Sequence, residues 1–432
     1  MGHQRPLCSP RAVSFTRGLG LGRAASASAV GFAAVSFGTF VLLPHALQQV
    51  RLDGAFETVC GAALPIVLAA SDLIWAVANG DSQSCCFRSA ERGGALCNPC
   101  WAIGERAMRA VVLSAFGPPS QLVATEVPEP TPGPGQALID VEFANITFVD
   151  TQIRAGRPPN PAMLPSLPVI PGNGVGGVVV VVSDPAHKNV VGRRVVASLN
   201  GTGGYAERVA ADVSALVDIP PGLSTRDAVG LLADGRTAML LVRTAEITAG
   251  ETVLVEAAAG GVGSLLVQLA RIRGARVVGA VGSARKTAIA RELGAEVVVD
   301  YSEPAWVDQV RSVAGSIDVA FDGVGGHIGR AAFELLRPGG RFIAFGMASG
   351  AFTQVSASEA ASRDVTLGTL GRPSPAEQLE LVRAALADAE AGRLRPIIGQ
   401  TVPLERAADA HAAIEQRTTF GKTLLATEVF AS

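Results

Sequence analysis

No cysteine occurs after Cys100: all six (Cys8, Cys60, Cys85, Cys86, Cys97 and Cys100) fall in the first hundred of 432 residues. The rest of the chain therefore needs no disulfide and cannot build a thiolate metal site, and a reducing, cytoplasmic compartment suits it. The five histidines (His3, His45, His187, His327 and His411) are scattered without ligand spacing. Charged residues make up 17% and the formal net charge is −2, which gives no electrostatic reason to expect a nucleic-acid partner. Lysine is nearly absent: Lys188, Lys286 and Lys422 stand among 36 basic residues. That bias fits GC-rich coding, and it makes each retained lysine a candidate for a local role.

What the chain has in quantity is apolar side chains, 48% of the total, which places it among globular proteins rather than disordered ones. Its length leaves room for two or three domains of roughly 100–200 residues each.

Residues 1–107 read as an extension distinct from the body. The apolar run 24–44, preceded by Arg11, Arg17 and Arg23, has the outline of a signal peptide or a single membrane span. A second run, 61–78, is interrupted by Pro65 and Asp72, which argues against a second span. Cys97 and Cys100 have the spacing of half a zinc site, but the adjacent Cys85 and Cys86 do not supply the other half. Three readings stay open: a disordered extension, a membrane anchor, or a body that begins at Met108, where Met-Arg-Ala-Val-Val-Leu opens as a strand.

From 109 to about 220 the pattern is short strands (110–113, 136–143, 176–182, 194–197) and turns, with 128–135 a stiff Pro/Gly turn. It predicts a small twisted β-barrel, closed off by Pro220-Pro221-Gly222. After Ser224 strands alternate with helices. Strands are predicted at 252–256, 276–280, 296–300, 318–321 and 341–345, and helices at 261–273, 286–293, 304–313 and 328–336. Several strands are apolar on successive residues, as expected when helices cover both faces of a doubly wound parallel sheet. A helix at 376–391, a strand at 400–403, a helix at 404–416 and a strand at 423–426 close the chain, the last expected to return to the barrel.

The strand 252–256 runs into Ala257-Ala258-Ala259-Gly260-Gly261-Val262-Gly263 and then an apolar-faced helix. Aligned with G-x-G-x-x-G, the key places are Ala258, Gly260 and Gly263. Gly260 would admit a pyrophosphate against the backbone, and Gly263 would let helix and strand pack closely, with the helix N-terminus facing the phosphates. At the end of the second strand, where an acid would bind a ribose 2′-hydroxyl, the chain has Gly282-Ser283-Ala284-Arg285-Lys286. A hydroxyl followed by two cations attracts a 2′-phosphate, so NADPH is the expected cofactor.

With these features, residues 108–426 resemble the medium-chain dehydrogenase/reductase superfamily, in its zinc-independent, zeta-crystallin-like quinone oxidoreductase branch. The segments that carry the resemblance are 144–156 (ANITFVDTQIRAG), 203–208 (GGYAER), 257–263, 322–326 (DGVGG), 336–340 (LRPGG) and 421–424 (GKTL). The resemblance implies a GroES-like catalytic domain over 108–230 and a Rossmann NADPH-binding domain over 231–374, with 375–432 returning to the catalytic domain. It implies that Ser283, Lys286 and Tyr301 hold the 2′-phosphate and that Thr237 lies near the nicotinamide. Phe345, Gly346 and Met347 would line the cofactor from the far side, with Lys422 nearby. It also implies a homodimer paired along the edge strand 365–370.

Zinc-dependent members carry Gly-His-Glu where this chain reads Gly172-Asn173-Gly174, so no catalytic zinc is expected. Within the closer branch, Thr147 replaces an Asn and Pro158 a Tyr at positions that face the substrate. The expected activity is direct hydride delivery to a quinone or an α,β-unsaturated carbonyl, with the proton supplied by water or the Thr147 hydroxyl. Asp150 is the nearest acid, with helix N-capping its competing role. The alternatives are an NADPH-binding sensor or structural protein with little turnover, and an enoyl reductase of a biosynthetic pathway.

Overall fold

The structure, a computed structural model, describes residues 106–427. The chain divides into two units, Met1–Cys100 and Trp101–Ser432, and the described residues belong to the second. The apolar runs 24–44 and 61–78 and all six cysteines lie outside the described residues. Among the described residues no helix is long and apolar enough to cross a membrane.

The second unit opens with an antiparallel pair, β1 (Ala107–Leu113) and β2 (Leu122–Pro128). After the turn at 129–135 come β3 (Gln136–Ile146), α1 (Phe148–Arg154), β4 (Gly174–Val182), β5 (Arg194–Ser198), β6 (Arg208–Asp212) and β7 (Leu216–Asp218). The sequence pattern anticipates β1, β3, β4 and β5 to within a few residues at their ends but misses the other three. β2 exposes four successive residues from Val123. It is a strand because its backbone pairs with β1, not because it buries a face.

Ser224 caps α2 (Thr225–Ala245), its hydroxyl accepting from Asp227 N at 3.0 Å. This helix runs through the domain boundary expected at 230/231, so the join there is continuous helix rather than a linker. Its buried residues (Ala228, Val229, Leu231, Leu232, Ala238, Leu241 and Val242 among them) cover most of its circumference, leaving a strip through Arg226, Ala233, Thr237 and Thr244. One core cluster accordingly joins Val196 and Val217 of the first sheet, through Leu231 and Leu241, to Val253 and Val255 beyond.

Alternation then sets in with β8 (Thr252–Glu256), α3 (Gly261–Ile272), β9 (Arg276–Val281), α4 (Ala284–Glu292), β10 (Val297–Asp300), α5 (Trp306–Ala314), β11 (Ile317–Asp322), α6 (Gly326–Glu334), β12 (Leu336–Ala344), α7 (Ala357–Ser362) and β13 (Thr366–Gly368). The order β10-β9-β8-β11-β12-β13 is parallel throughout. It is the doubly wound order, with its switch point between β8 and β11, where a crevice opens beyond the strand ends. β8 and β9 are buried on consecutive residues, which is why they read as unbroken apolar runs. Two boundaries are corrected. α6 stops at Glu334 because Leu336 already begins β12, and the 404–416 helix opens as a 3-10 turn, Leu404–Arg406.

The chain ends with α8 (Pro375–Glu390), β14 (Ile398–Pro403), α9 (Ala407–Glu415) and β15 (Lys422–Ala426). β15 pairs antiparallel with β3, from Thr423 opposite Ile146 to Ala426 opposite Phe143. The last strand therefore lies in the sheet that holds β3 to β7, and it delivers Lys422 beside α1 and α2.

Candidate active site

A cleft of about 500 Å³ opens at the switch point, between the start of α1, the middle of α2 and the dinucleotide turn. It is lined by Thr147, Asp150, Thr237, Gly260, Gly261, Val262, Gly263, Phe345, Gly346, Met347 and Lys422, all expected site residues. Ala258 is not among them. It is fully buried and packs against Gly279 of β9, so of the expected turn residues it alone faces the core.

The turn is shaped by close approach. Ala257 takes a left-handed conformation (φ 47°) at the end of β8, and Gly260 N donates to Ala257 O at 2.7 Å. A Cβ on Gly263 would overlap Ala257 O, and one on Gly261 would overlap Asp234 Oδ2. Gly263 thus serves the helix–strand packing expected of it, while Gly261 makes room for a carboxylate from α2. The N-cap of α3 is Gly260, with no side-chain cap and no acid in the first turn. Its first N–H groups, at the positive end of the helix dipole, line the cleft and suit a phosphate.

Asp234 would be a poor neighbour for a phosphate were it not paired. Its Oδ1 accepts from Lys422 Nζ at 2.8 Å, with both side chains buried. Lys422, expected as a cofactor contact, thus has a partner that the sequence reading missed.

At the start of α1 Asp150 takes a capping role, though not as the N-cap itself. Thr147 is the N-cap, and Asp150, three residues on, completes a capping box. Asp150 Oδ2 accepts from Thr147 N at 2.7 Å and from Thr147 Oγ1 at 2.8 Å. Burial pushes the Asp150 carboxyl above the usual carboxylate range. The Thr147 hydrogen bonds and the Lys422 ammonium oppose that push, and Asp234 adds to it. Thr237 Oγ1 donates to Ala233 O at 2.8 Å, one turn back along α2.

The Ser283, Arg285, Lys286 and Tyr301 group gathers at the end of β9, outside the lining of the cleft. Tyr301 packs over Gly282, and burial, followed by the charge of Glu256, pushes its hydroxyl up to about 12. Ser283 caps α4 without a side-chain hydrogen bond. Lys286 Nζ donates to Arg417 O at 3.1 Å, and Arg285 lies 5.9 Å from the centre of the Phe420 ring. Burial, and then Arg417, lower the Lys286 ammonium from its usual value. Arg417 is a cation the sequence reading missed; nothing local marks it, because only the fold brings 417 beside 286.

The residues present do not fit a zinc. Asn173 Oδ1 accepts from Gly201 N at 2.6 Å, and Gly174 has no side chain. Among the described residues no three His, Cys, Asp or Glu side chains gather as a metal site.

Comparison with known proteins agrees with this fold. The family described as "Alcohol dehydrogenase GroES-like domain" matches residues 133–221, and that described as "Zinc-binding dehydrogenase" matches 261–385. A 2-haloacrylate reductase of a Burkholderia species is 32% identical over 73% of this chain and 98% of its own length. The human quinone oxidoreductase is 32% identical over 72% of this chain and 95% of its own. A mycobacterial protein solved in complex with NADPH superposes with a TM-score of 0.66 at 32% identity, covering 74% of this chain and 99% of that one.

Proposed function

The chain belongs to the medium-chain dehydrogenase/reductase superfamily, in its quinone oxidoreductase branch, and is an NAD(P)-dependent oxidoreductase; from that premise we propose that it reduces quinones or α,β-unsaturated carbonyl compounds with NADPH and without zinc. The observation that carries the reading is the cleft itself, where the hydrogen-bonded Thr147–Asp150 pair and Thr237 line the same space as the uncapped start of α3. Two relatives, a quinone oxidoreductase and a 2-haloacrylate reductase, act on electron-poor conjugated acceptors, which supports an acceptor of that kind here.

NADPH, when bound, supplies the hydride. Gly260 to Gly263 would hold the pyrophosphate on backbone N–H groups, and Ser283, Arg285, Lys286 and Tyr301 the 2′-phosphate, with Arg417 beside them. Phe345, Gly346 and Met347 close the far wall and exclude water. The acceptor gains a hydride at carbon, and its conjugation spreads the arriving charge, so no Lewis acid is required. The reduced acceptor then takes one proton. Water supplies it directly, or the Thr147 hydroxyl does so and is reprotonated by water; that hydroxyl donates to Asp150 Oδ2 at 2.8 Å, so Asp150 is the acceptor that orients it. The edge strand β13, with its exposed Leu367, is the surface on which we place a homodimer contact.

A panel of 1,4-quinones and enones tests the reading. Acceptor-dependent loss of NADPH absorbance is expected. Tight NADPH binding with no turnover across the panel would favour the sensor alternative instead.

A further inference from the structure

One cation lining the cleft, Arg236, forms no ion pair among the described residues. Ala233, Arg236 and Thr237 share a face of α2 at i, i+3, i+4 spacing, and all three line the cleft. Arg236 Nη1 donates to Gln378 Oε1 at 3.0 Å, which ties α2 to α8 and uses one of five N–H donors. Among the described residues no carboxylate forms an ion pair with its guanidinium. Asp234, two residues back and close enough to act on it electrostatically, is already held by Lys422. Among the described residues its other guanidinium nitrogens make no hydrogen bond, and they are not sealed from solvent, so they keep donors for a ligand. Much of that space is apolar, with Ile146, Phe148, Ile153, Met163 and Phe352 on its walls.

Holding a half-buried guanidinium against an apolar wall costs desolvation that a single neutral hydrogen bond does not offset. A carboxylate would offset it, because the planar fork matches two carboxylate oxygens. We propose that Arg236 is a specificity-determining residue that pairs with a carboxylate on the acceptor. The preferred substrates are then conjugated carbonyl compounds that carry a carboxylate. The inference rests on the cleft being the acceptor site, and the test keeps the two separable.

The kinetic arm compares (E)-4-oxopent-2-enoate with its methyl ester, both with NADPH and the full-length protein, alongside 1,4-benzoquinone. Wild type is expected to favour the acid in kcat/KM, the difference lying in KM. In Arg236→Gln the acid-to-ester ratio is expected to fall about tenfold or more, as for loss of a charge-assisted bidentate contact. Arg236→Lys, which keeps the charge but not the fork, should retain part of the ratio. Reduction of the quinone with an acid-to-ester ratio that Arg236→Gln leaves unchanged would overturn the Arg236 assignment and leave the proposed function standing. If no acceptor is reduced, the proposed function fails, and a binding arm still decides the inference. Calorimetric titration of the NADP⁺-loaded protein with 4-oxopentanoate and its methyl ester should show binding of the acid that Arg236→Gln weakens. Equal affinity for acid and ester, or no binding of either, overturns it.

Discussion

Glu256 closes β8 with its side chain fully buried, and its Oε2 accepts from Val324 N at 3.1 Å. Asp322, at the end of the neighbouring β11, accepts from the same N–H at 3.2 Å and from Gly325 N at 2.6 Å. Burial, and then the Asp322 carboxylate, push the Glu256 carboxyl well above its usual range. The folded protein therefore holds that proton more tightly than the unfolded chain. The associated stability is complete below the ordinary Glu value and is lost as pH rises through the folded one. Urea unfolding from about pH 6 to about pH 9 should show wild type losing stability faster than Glu256→Gln, which keeps an acceptor for Val324 N. Parallel slopes would show Glu256 to be already ionised in the fold.

Lys286 belongs to the same scale. Its position was legible in the sequence, because a missing acid and a rare lysine both mark the end of the second strand. Lys286→Ala should weaken NADPH binding by about tenfold or more and NADH far less, read by fluorescence titration. Equal losses would remove the phosphate assignment. Arg236, Asp234 and Arg417 were not legible. Arg236 and Asp234 flank the Thr237 that the resemblance singles out, but nothing local gives either a role, and Arg417 acquires its neighbours only through tertiary folding.

Among elements, the β8–turn–α3 unit was the most readable, since glycine spacing and an unbroken apolar strand have local causes. β8 begins and ends as predicted, and α3 begins as predicted and ends one residue earlier. Its packing yields a prediction: Gly263→Ala places a methyl group on Ala257 O, a backbone atom that cannot move aside without shifting the turn. A loss of about 1–3 kcal/mol in chemical unfolding is expected, as for overpacking elsewhere, together with weaker dinucleotide binding. α2 was the least readable element. Burial over most of its circumference blurs the single-face period that marks a surface helix. β2 and β7 escaped because one is mostly exposed and the other is three residues long.

Across the whole molecule, chain order and spatial order part company at the C-terminus. β15 lies between β14 and β3, and its first residue pairs with Asp234 on α2. That single buried ion pair joins the last strand to the helix that both sheets share. Lys422→Met strands a buried carboxylate on the start of α3 and should cost about 3–5 kcal/mol in unfolding free energy. Adding Asp234→Asn should recover part of that loss, and no recovery would assign the cost to packing instead. The return of the last strand to the barrel was anticipated from a short apolar strand; its pairing with β3 and the ion pair were not, since 188 residues separate the ion-pair partners.

The central claim is zinc-independent hydride delivery to conjugated carbon, and isotope transfer tests it most directly. With NADPH deuterated at the nicotinamide C4 and an enone acceptor, in the presence of a strong metal chelator, the product should carry one deuterium at the β-carbon. Turnover that leaves the label out of the carbon skeleton, or that stops when the chelator is added, would contradict it.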